Sequence, residues 1–317
     1  MTEVRTRDSS VLGQARVRAG ESPAREEEGL KRVVILFHDC QRRRGPQSYL
    51  IHALSEVWRK WGLDVSCAYG VRDHPEADLL IPQIDLTRLP DDYIEYLGSY
   101  PNVLNRKVVD ISKRSFSEHL LEEGDDYQEP VIVKTNNNFG GRQERWLVLH
   151  RHRLLSWLYR RALPLAGRAL GQGLARQTVL DQYPIYPSLA EVPRGVFSNK
   201  ALVVEQFLPE REGELYFMRH YLFLGDHTRN VRVAGRNPFL KRSACVPVDE
   251  GLPVPAELTD LRRRLGFDYG KFDYTIHDGK VVVLDVNWTP APPGTAEGAA
   301  RAARDLAGGI WSLLGDA

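Results

Sequence analysis

Cysteine is scarce in this chain: Cys40, Cys67 and Cys245 are its only three among 317 residues, in no paired or metal-type spacing. That excludes a disulfide framework and a thiolate zinc site, and it fits a reducing compartment. Net charge is scarce too. Lys and Arg number 43 against 42 Asp and Glu, a formal charge of +1. The summed field therefore offers no global attraction to nucleic acid or an anionic bilayer, and a charged partner must be met locally. No segment approaches the roughly 20 apolar residues a bilayer span needs, and no apolar run follows the basic residues near the N-terminus. The expectation is a soluble, cytoplasmic protein with no nucleic-acid partner and no stable membrane association.

A length of 317 residues supports a substantial core, divided among two or three packed subdomains. Residues 1–30 are rich in Arg, Glu, Gly and Ser and have little to bury, so a flexible leader is expected there. The apolar run Val33-Val34-Ile35-Leu36-Phe37 has strand length. Leu50, Ala53, Leu54, Val57 and Trp58 then recur at helical spacing up to Gly62, and strand patterns return at Asp64–Tyr69 and Asp78–Ile81. A strand-helix-strand order of this kind favours an open parallel sheet with helical cover, and an α/β domain is expected over 31–112. A second unit is expected over 113–204 and a third over 205–317. Within them, Ala201–Phe207 and Phe217–Phe223 read as strands, the latter turning at Leu224-Gly225-Asp226. Residues 150–175 read as a basic helix with a leucine stripe, and arginines turned outward are a simpler account than a membrane or partner surface.

Two distant stretches carry the chemistry. In the first, Val131-Ile132-Val133 ends on Lys134 and opens into Thr135-Asn136-Asn137-Asn138-Phe139-Gly140-Gly141-Arg142. A cation fixed at a strand end, followed by a loop whose glycines and asparagines tolerate left-handed backbone, can close over phosphates. It is not a P-loop, because Lys134 precedes the glycines and no Gly-Lys-Ser/Thr follows. In the second, Phe272–Ile276, a polar His277-Asp278-Gly279-Lys280 turn and Val281–Asn287 read as a hairpin. Asp285 and Asn287 stand two apart on one strand and share a face, and the hairpin brings Asp273 beside them. Three hard oxygen donors completed by phosphate oxygens suit magnesium. Asp-x-Asn is also a common turn or capping pattern, but an idle carboxylate among valines is costly.

The order of these features resembles the ATP-grasp superfamily of carboxylate-amine ligases, over about Lys31 to Pro290. The resemblance implies a mixed α/β (α+β) ATP-grasp fold with an N-terminal Rossmann-like domain, and ATP and Mg2+ as cofactors. By it, Lys113 and Lys134 contact ATP phosphates, and the loop with Asn138, Gly140 and Gly141 covers them. Glu205-Gln206-Phe207-Leu208 forms the adenine-facing hinge, and Glu214 holds the ribose. Asp273, Asp285 and Asn287 bind metal, and Thr289-Pro290 echoes the superfamily's Asn-x-Thr-Pro ending. The loop departs from the pattern, with two glycines and three asparagines.

The implied reaction activates a carboxylate as an acyl phosphate and joins it to an amine. Arg219, Arg232 and Arg236 are the candidates for offsetting the oxyanion charge. Small-molecule acid and amine substrates are the expected partners, and a homodimer stays open. A kinase on the same scaffold and a nucleotide-binding protein without turnover are the alternatives. Arg42-Arg43-Arg44, after the first strand, reads equally as an anion grip or a solvated loop. His38-Asp39 suggests a dyad, but no nucleophile motif accompanies it.

Overall fold

The structure, a computed structural model, describes residues 31–43, 45–151, 183–240 and 245–314. The expected leader at 1–30 and most of the basic stretch at 150–175 lie outside the described residues. Among the described residues the first elements are β1 (Arg32–Phe37), α1 (Leu50–Lys60), β2 (Asp64–Tyr69) and β3 (Leu79–Gln83). These strands form a parallel sheet in the order β2-β1-β3. The unbroken apolar run of β1 has a direct cause. Val33, Ile35 and Phe37 enter one core and Val34 and Leu36 another, so both faces of the strand are buried. α1 buries Leu50, Ile51, Leu54 and Trp58 and stops at Gly62, whose φ of 88° is left-handed.

After α2 (Asp91–Gly98) come α3 (Lys113–Phe116), β4 (Leu120–Leu121), β5 (Val131–Thr135) and α4 (Arg142–Arg151). β6 (Ile185–Tyr186), α5 (Arg194–Phe197) and β7 (Leu202–Gln206) follow. Here the strands form a four-stranded antiparallel sheet ordered β4-β7-β5-β6. Its core is small. Val131, Val133, Leu189, Val192, Val196, Leu202 and Val204 pack on one face. Strand alternation therefore sends Ile132, Lys134, Val203 and Glu205 to the other face.

The third sheet contains β8 (Glu210–Glu212), β9 (Leu215–Leu224), β10 (His227–Gly235), β11 (Val246–Glu250), β12 (Tyr269–His277) and β13 (Lys280–Asn287), with α6 (Ala256–Leu265) between β11 and β12. It is antiparallel, ordered β11-β10-β9-β12-β13, with β8 on β9. Its two faces enter the two cores begun by β1: Tyr221, Phe223 and Phe272 join Val34 and Leu36, whereas Leu222, Leu224 and Tyr269 join Val33 and Ile35. The first and third sheets are thus welded by shared cores. The Ala- and Gly-rich tail, to which periodicity assigns no element, forms α7 (Ala296–Leu306) and α8 (Trp311–Leu314). Thr295 caps α7 by accepting the Gly298 amide, and Ala302, Ala303 and Leu306 share the α1 core.

Candidate active site

One irregularity in the β12–β13 hairpin decides which side chains meet. Asp273 pairs with Asp285, but Tyr274 pairs with Val283, so the ladder has a bulge at Leu284. One extra residue inverts the facing of everything before it. Val281 and Val283 therefore pack towards the core that holds Tyr274, and Asp285 and Asn287 stand on the other face with Asp273. A regular hairpin would bury Asp285 among valines. The turn itself, Asp278-Gly279, has φ of 48° and 76°, the backbone of a tight two-residue hairpin.

Lys271 pairs with Asn287 across the hairpin, and His220 of β9 pairs with Asp273, so both join this face. Asp273 accepts from His220 Nδ1 at 2.6 Å and from Lys271 Nζ at 2.9 Å. Burial by itself would raise its pKa, but Lys271 and His220 outweigh that and hold the carboxyl well below the ordinary range. Asp285 Oδ1 receives Lys113 Nζ at 3.2 Å, and Asn287 Oδ1 accepts the Thr289 amide at 2.7 Å.

Lys113 links this face to the middle sheet. Its side chain is buried; burial would lower its pKa, but Asp285, Tyr183 and Glu205 raise it overall. On the middle sheet's polar face, Lys134 Nζ lies 2.6 Å from Glu205 Oε2, both buried. Glu205 is desolvated, which favours its neutral form, but Lys134 and Lys113 win and its pKa is lowered. The Ser117 hydroxyl also favours the ionised carboxylate, but the buried second oxygen, Oε1, has no partner at hydrogen-bond geometry among the described residues. Lys134, Glu205, Lys113, Asp285 and Asp273 thus form one continuous charged series spanning two sheets. Cavities of about 460 and 800 Å³ lie elsewhere, the larger behind the loop and lined by Thr87, Arg114, Asn136 and Lys200. Neither is lined by Lys134 or Asp273.

The loop after Lys134 is a 3-10 turn over Asn138–Gly141 that runs into α4. Its left-handed residues are Phe139, Gly140 and Gly141, with φ of 44°, 64° and 65°. The two glycines adopt the left-handed backbone expected of the loop, whereas the asparagines do not. Asn136 Oδ1 accepts the Arg114 amide and Asn138 Oδ1 the Phe139 amide, which leaves the strained position to a half-exposed phenylalanine.

No family model matches the chain, and no curated protein matches it. Among solved structures it is similar to a RimK domain protein ATP-grasp from Sphaerobacter thermophilus, with 12% identity, 90% of this chain and 100% of that one covered, and a TM-score of 0.45. It is similar to D-alanine–D-alanine ligase from Bacillus anthracis, with 14% identity, 90% and 96% covered, and a TM-score of 0.41. It is also similar to the ATP-grasp ligase PsnB complexed with minimal precursor, with 10% identity, 89% and 97% covered, and a TM-score of 0.47. At such identities the case for an activity rests on the chain's own side chains.

The structure does not bring the arginine candidates to this cluster. Arg219 alternates with His220 on β9, pairs with Tyr274 and so points to the opposite face, where Arg232 lies directly across from it. Both hold Glu210: Arg219 through Nε and Nη2 at 3.1 and 2.9 Å, Arg232 through Nε at 2.9 Å. Arg236 is exposed beyond the end of β10. Besides Lys113, a cation on this face is Lys271, which lies across from Asn287 and beside Asp273. Its signal was readable in sequence, because it stands two residues before Asp273 on one strand and must share its face. Glu214 is exposed at the tip of the β8–β9 hairpin, and the Gln206 and Phe207 amides donate to His119 O and Pro130 O. Leu208 O accepts from Thr275 Oγ1, which ties the segment after β7 to β12.

The carboxylates of this face are not a preformed cage. Among the described residues no group of three His, Cys, Asp or Glu could hold a metal ion. Two carboxylates and one amide oxygen on one sheet face are still a donor set that suits magnesium once phosphate oxygens complete it. By the chemistry of its donors, the set fits.

Proposed function

We propose that the protein is an ATP- and magnesium-dependent ligase that activates a carboxylate as an acyl phosphate and joins it to the amine of a small metabolite. The observation carrying this reading is the charged series Lys134–Glu205–Lys113–Asp285, which alternates in sign across two sheets, ends beside Asp273 and includes a buried carboxylate oxygen with no partner at hydrogen-bond geometry among the described residues. A triphosphate with its metal matches such a series, because each lysine can exchange its carboxylate for phosphate oxygens. Lys134 and Lys113 would take the phosphates, and Asp273, Asp285 and Asn287 would hold magnesium. The metal would supply charge neutralisation at the phosphate oxygens. Lys271 takes the role first given to the arginines, offsetting negative charge on the acid being activated.

In the reaction a carboxylate oxygen attacks the γ-phosphorus and ADP leaves. The amine then attacks the acyl carbon, and phosphate leaves with the formation of an amide. Positioning and charge neutralisation would carry the rate. Incubation of the protein with ATP, magnesium and a pool of acids and amines is expected to release ADP and phosphate together. AMP and pyrophosphate would overturn the mechanism, and a phosphorylated product without free phosphate would make the protein a kinase.

A further inference from the structure

Ile84 to Thr87, the segment leaving β3, touches both the loop that follows Lys134 and the segment that ends the metal-type hairpin. Thr87 Oγ1 accepts the Asn138 amide at 2.9 Å, and the Thr87 amide donates to Glu144 Oε1 at 2.7 Å. Ile84 O accepts Trp288 Nε1 at 2.8 Å. Asp85, between them, divides its two oxygens. Oδ2 accepts from Gln143 Nε2, on α4 just past the loop, and from the Tyr49 hydroxyl at 2.9 Å. Oδ1 accepts from Thr289 Oγ1 at 3.2 Å.

Thr289 has one hydroxyl proton and two acceptors at the same distance, Asp85 Oδ1 and Asn287 Oδ1, each 3.2 Å away. It can serve only one at a time. Donation to Asp85 leaves Asn287 Oδ1 with the Thr289 amide alone and so frees a lone pair on the face that carries Asp273 and Asp285. When α4 is seated, Gln143 and Tyr49 fix Oδ2 and thereby aim Oδ1 at Thr289. When α4 lifts, the carboxylate loses one of the donors that orient it.

We propose that Asp85 is a positioning residue that couples seating of the loop at 136–144 to the orientation of Asn287. It acts through Gln143 on one side and Thr289 on the other. The proposal rests on the nucleotide reading above for its functional consequence, but the coupling itself is a property of the chain and can be measured without nucleotide.

Hydrogen exchange of residues 136–144 and magnesium-ATP affinity would be measured on the wild-type chain, Gln143→Ala, Thr289→Val and the Gln143→Ala/Thr289→Val double variant, and on the same four proteins carrying Asp85→Asn. An amide at position 85 keeps the size but presents hydrogens to one set of donors. Asp85→Asn is expected to speed exchange of the loop and to weaken nucleotide affinity by about tenfold, as for loss of a charge-assisted hydrogen bond. The Gln143 and Thr289 side chains meet on the Asp85 carboxylate, so their effects should be non-additive in the wild-type background and closer to additive with Asn at position 85. A merely structural role for Asp85 would leave the two sites independent. Additive effects in both backgrounds, or unchanged loop exchange in folded Asp85→Asn, would overturn the coupling. If wild-type protein binds no magnesium-ATP but Asp85→Asn still loosens the loop, the nucleotide reading fails and the coupling stands.

Discussion

The two faces of the third sheet each carry a cluster of opposite charges, and they are built on different principles. On one face Glu210 accepts Arg219 twice, Arg232 once and the Ile276 amide at 2.9 Å. Arg232 also lies over the Phe217 ring, 3.7 Å from its centroid. Planar guanidiniums fill the lone pairs of that carboxylate and stack on neighbours, an arrangement with nothing left to offer a ligand. On the other face and across to the middle sheet the cations are lysines, compact charges that can be redirected, beside the His220 imidazole, and Glu205 Oε1 is buried with no partner at hydrogen-bond geometry among the described residues. A saturated cluster holds a fold together, and an unsaturated one with exchangeable counter-ions suits a ligand. That contrast, more than the number of charges, separates the candidate site from its structural mirror.

Substitutions on the two faces should therefore fail differently. Asp285→Ala is expected to lower magnesium-dependent phosphate release on the order of a thousandfold in protein that still folds, with the melting temperature lowered only by the loss of the Lys113 partner. Retention of full activity would dissolve the distinction. Glu210→Ala should do the opposite. It leaves two guanidiniums facing each other and should cost about 3 kcal/mol in a urea titration, with magnesium-ATP affinity unchanged in the folded fraction. A loss of affinity without a loss of stability would return the arginines to the reaction. Between these lies Lys134→Met, which strands the buried Glu205 carboxylate and should destabilise by about 2 kcal/mol. Adding Glu205→Gln should recover much of the stability but none of the nucleotide affinity, so calorimetry on the pair separates the two roles of Lys134.

The strands bearing chemistry were legible in sequence because their patterns are local. Val131–Lys134, the Asp278-Gly279 turn and the two-residue spacing of Asp285 and Asn287 each contain their own evidence. The bulge at Leu284 was not legible. It depends on which residue of β12 pairs with which of β13, and only that pairing tells whether Asp285 faces Asp273 or the core. The facing of Arg219 was not legible for the same reason, since a one-residue choice on β9 decides between His220 and Arg219. Asp85 had no local signal at all: its partners lie at Tyr49, Gln143 and Thr289, distant in sequence and joined only by the packing of three sheets. Short strands such as β4 and β6, two residues each, exist because β7 and β5 offer them an edge.

The smallest expected effect concerns acid. Burial favours the neutral form of Glu210, but the Arg219 hydrogen bond, the Ile276 amide and the charges of both arginines prevail and lower its pKa. A carboxyl whose folded pKa lies below its unfolded value of about 4.3 binds more protons when unfolded, so it adds stability that is complete above that pH. The contribution disappears as pH falls through the lower, folded value. Glu210→Gln cannot take part in this exchange. Its stability should therefore start lower at neutral pH and decline less steeply than wild type between about pH 5 and about pH 3. Parallel decline in the two proteins, measured by thermal unfolding across that range, would mean that the clamp does not hold the ionised carboxylate and that the two faces differ less than their geometry implies.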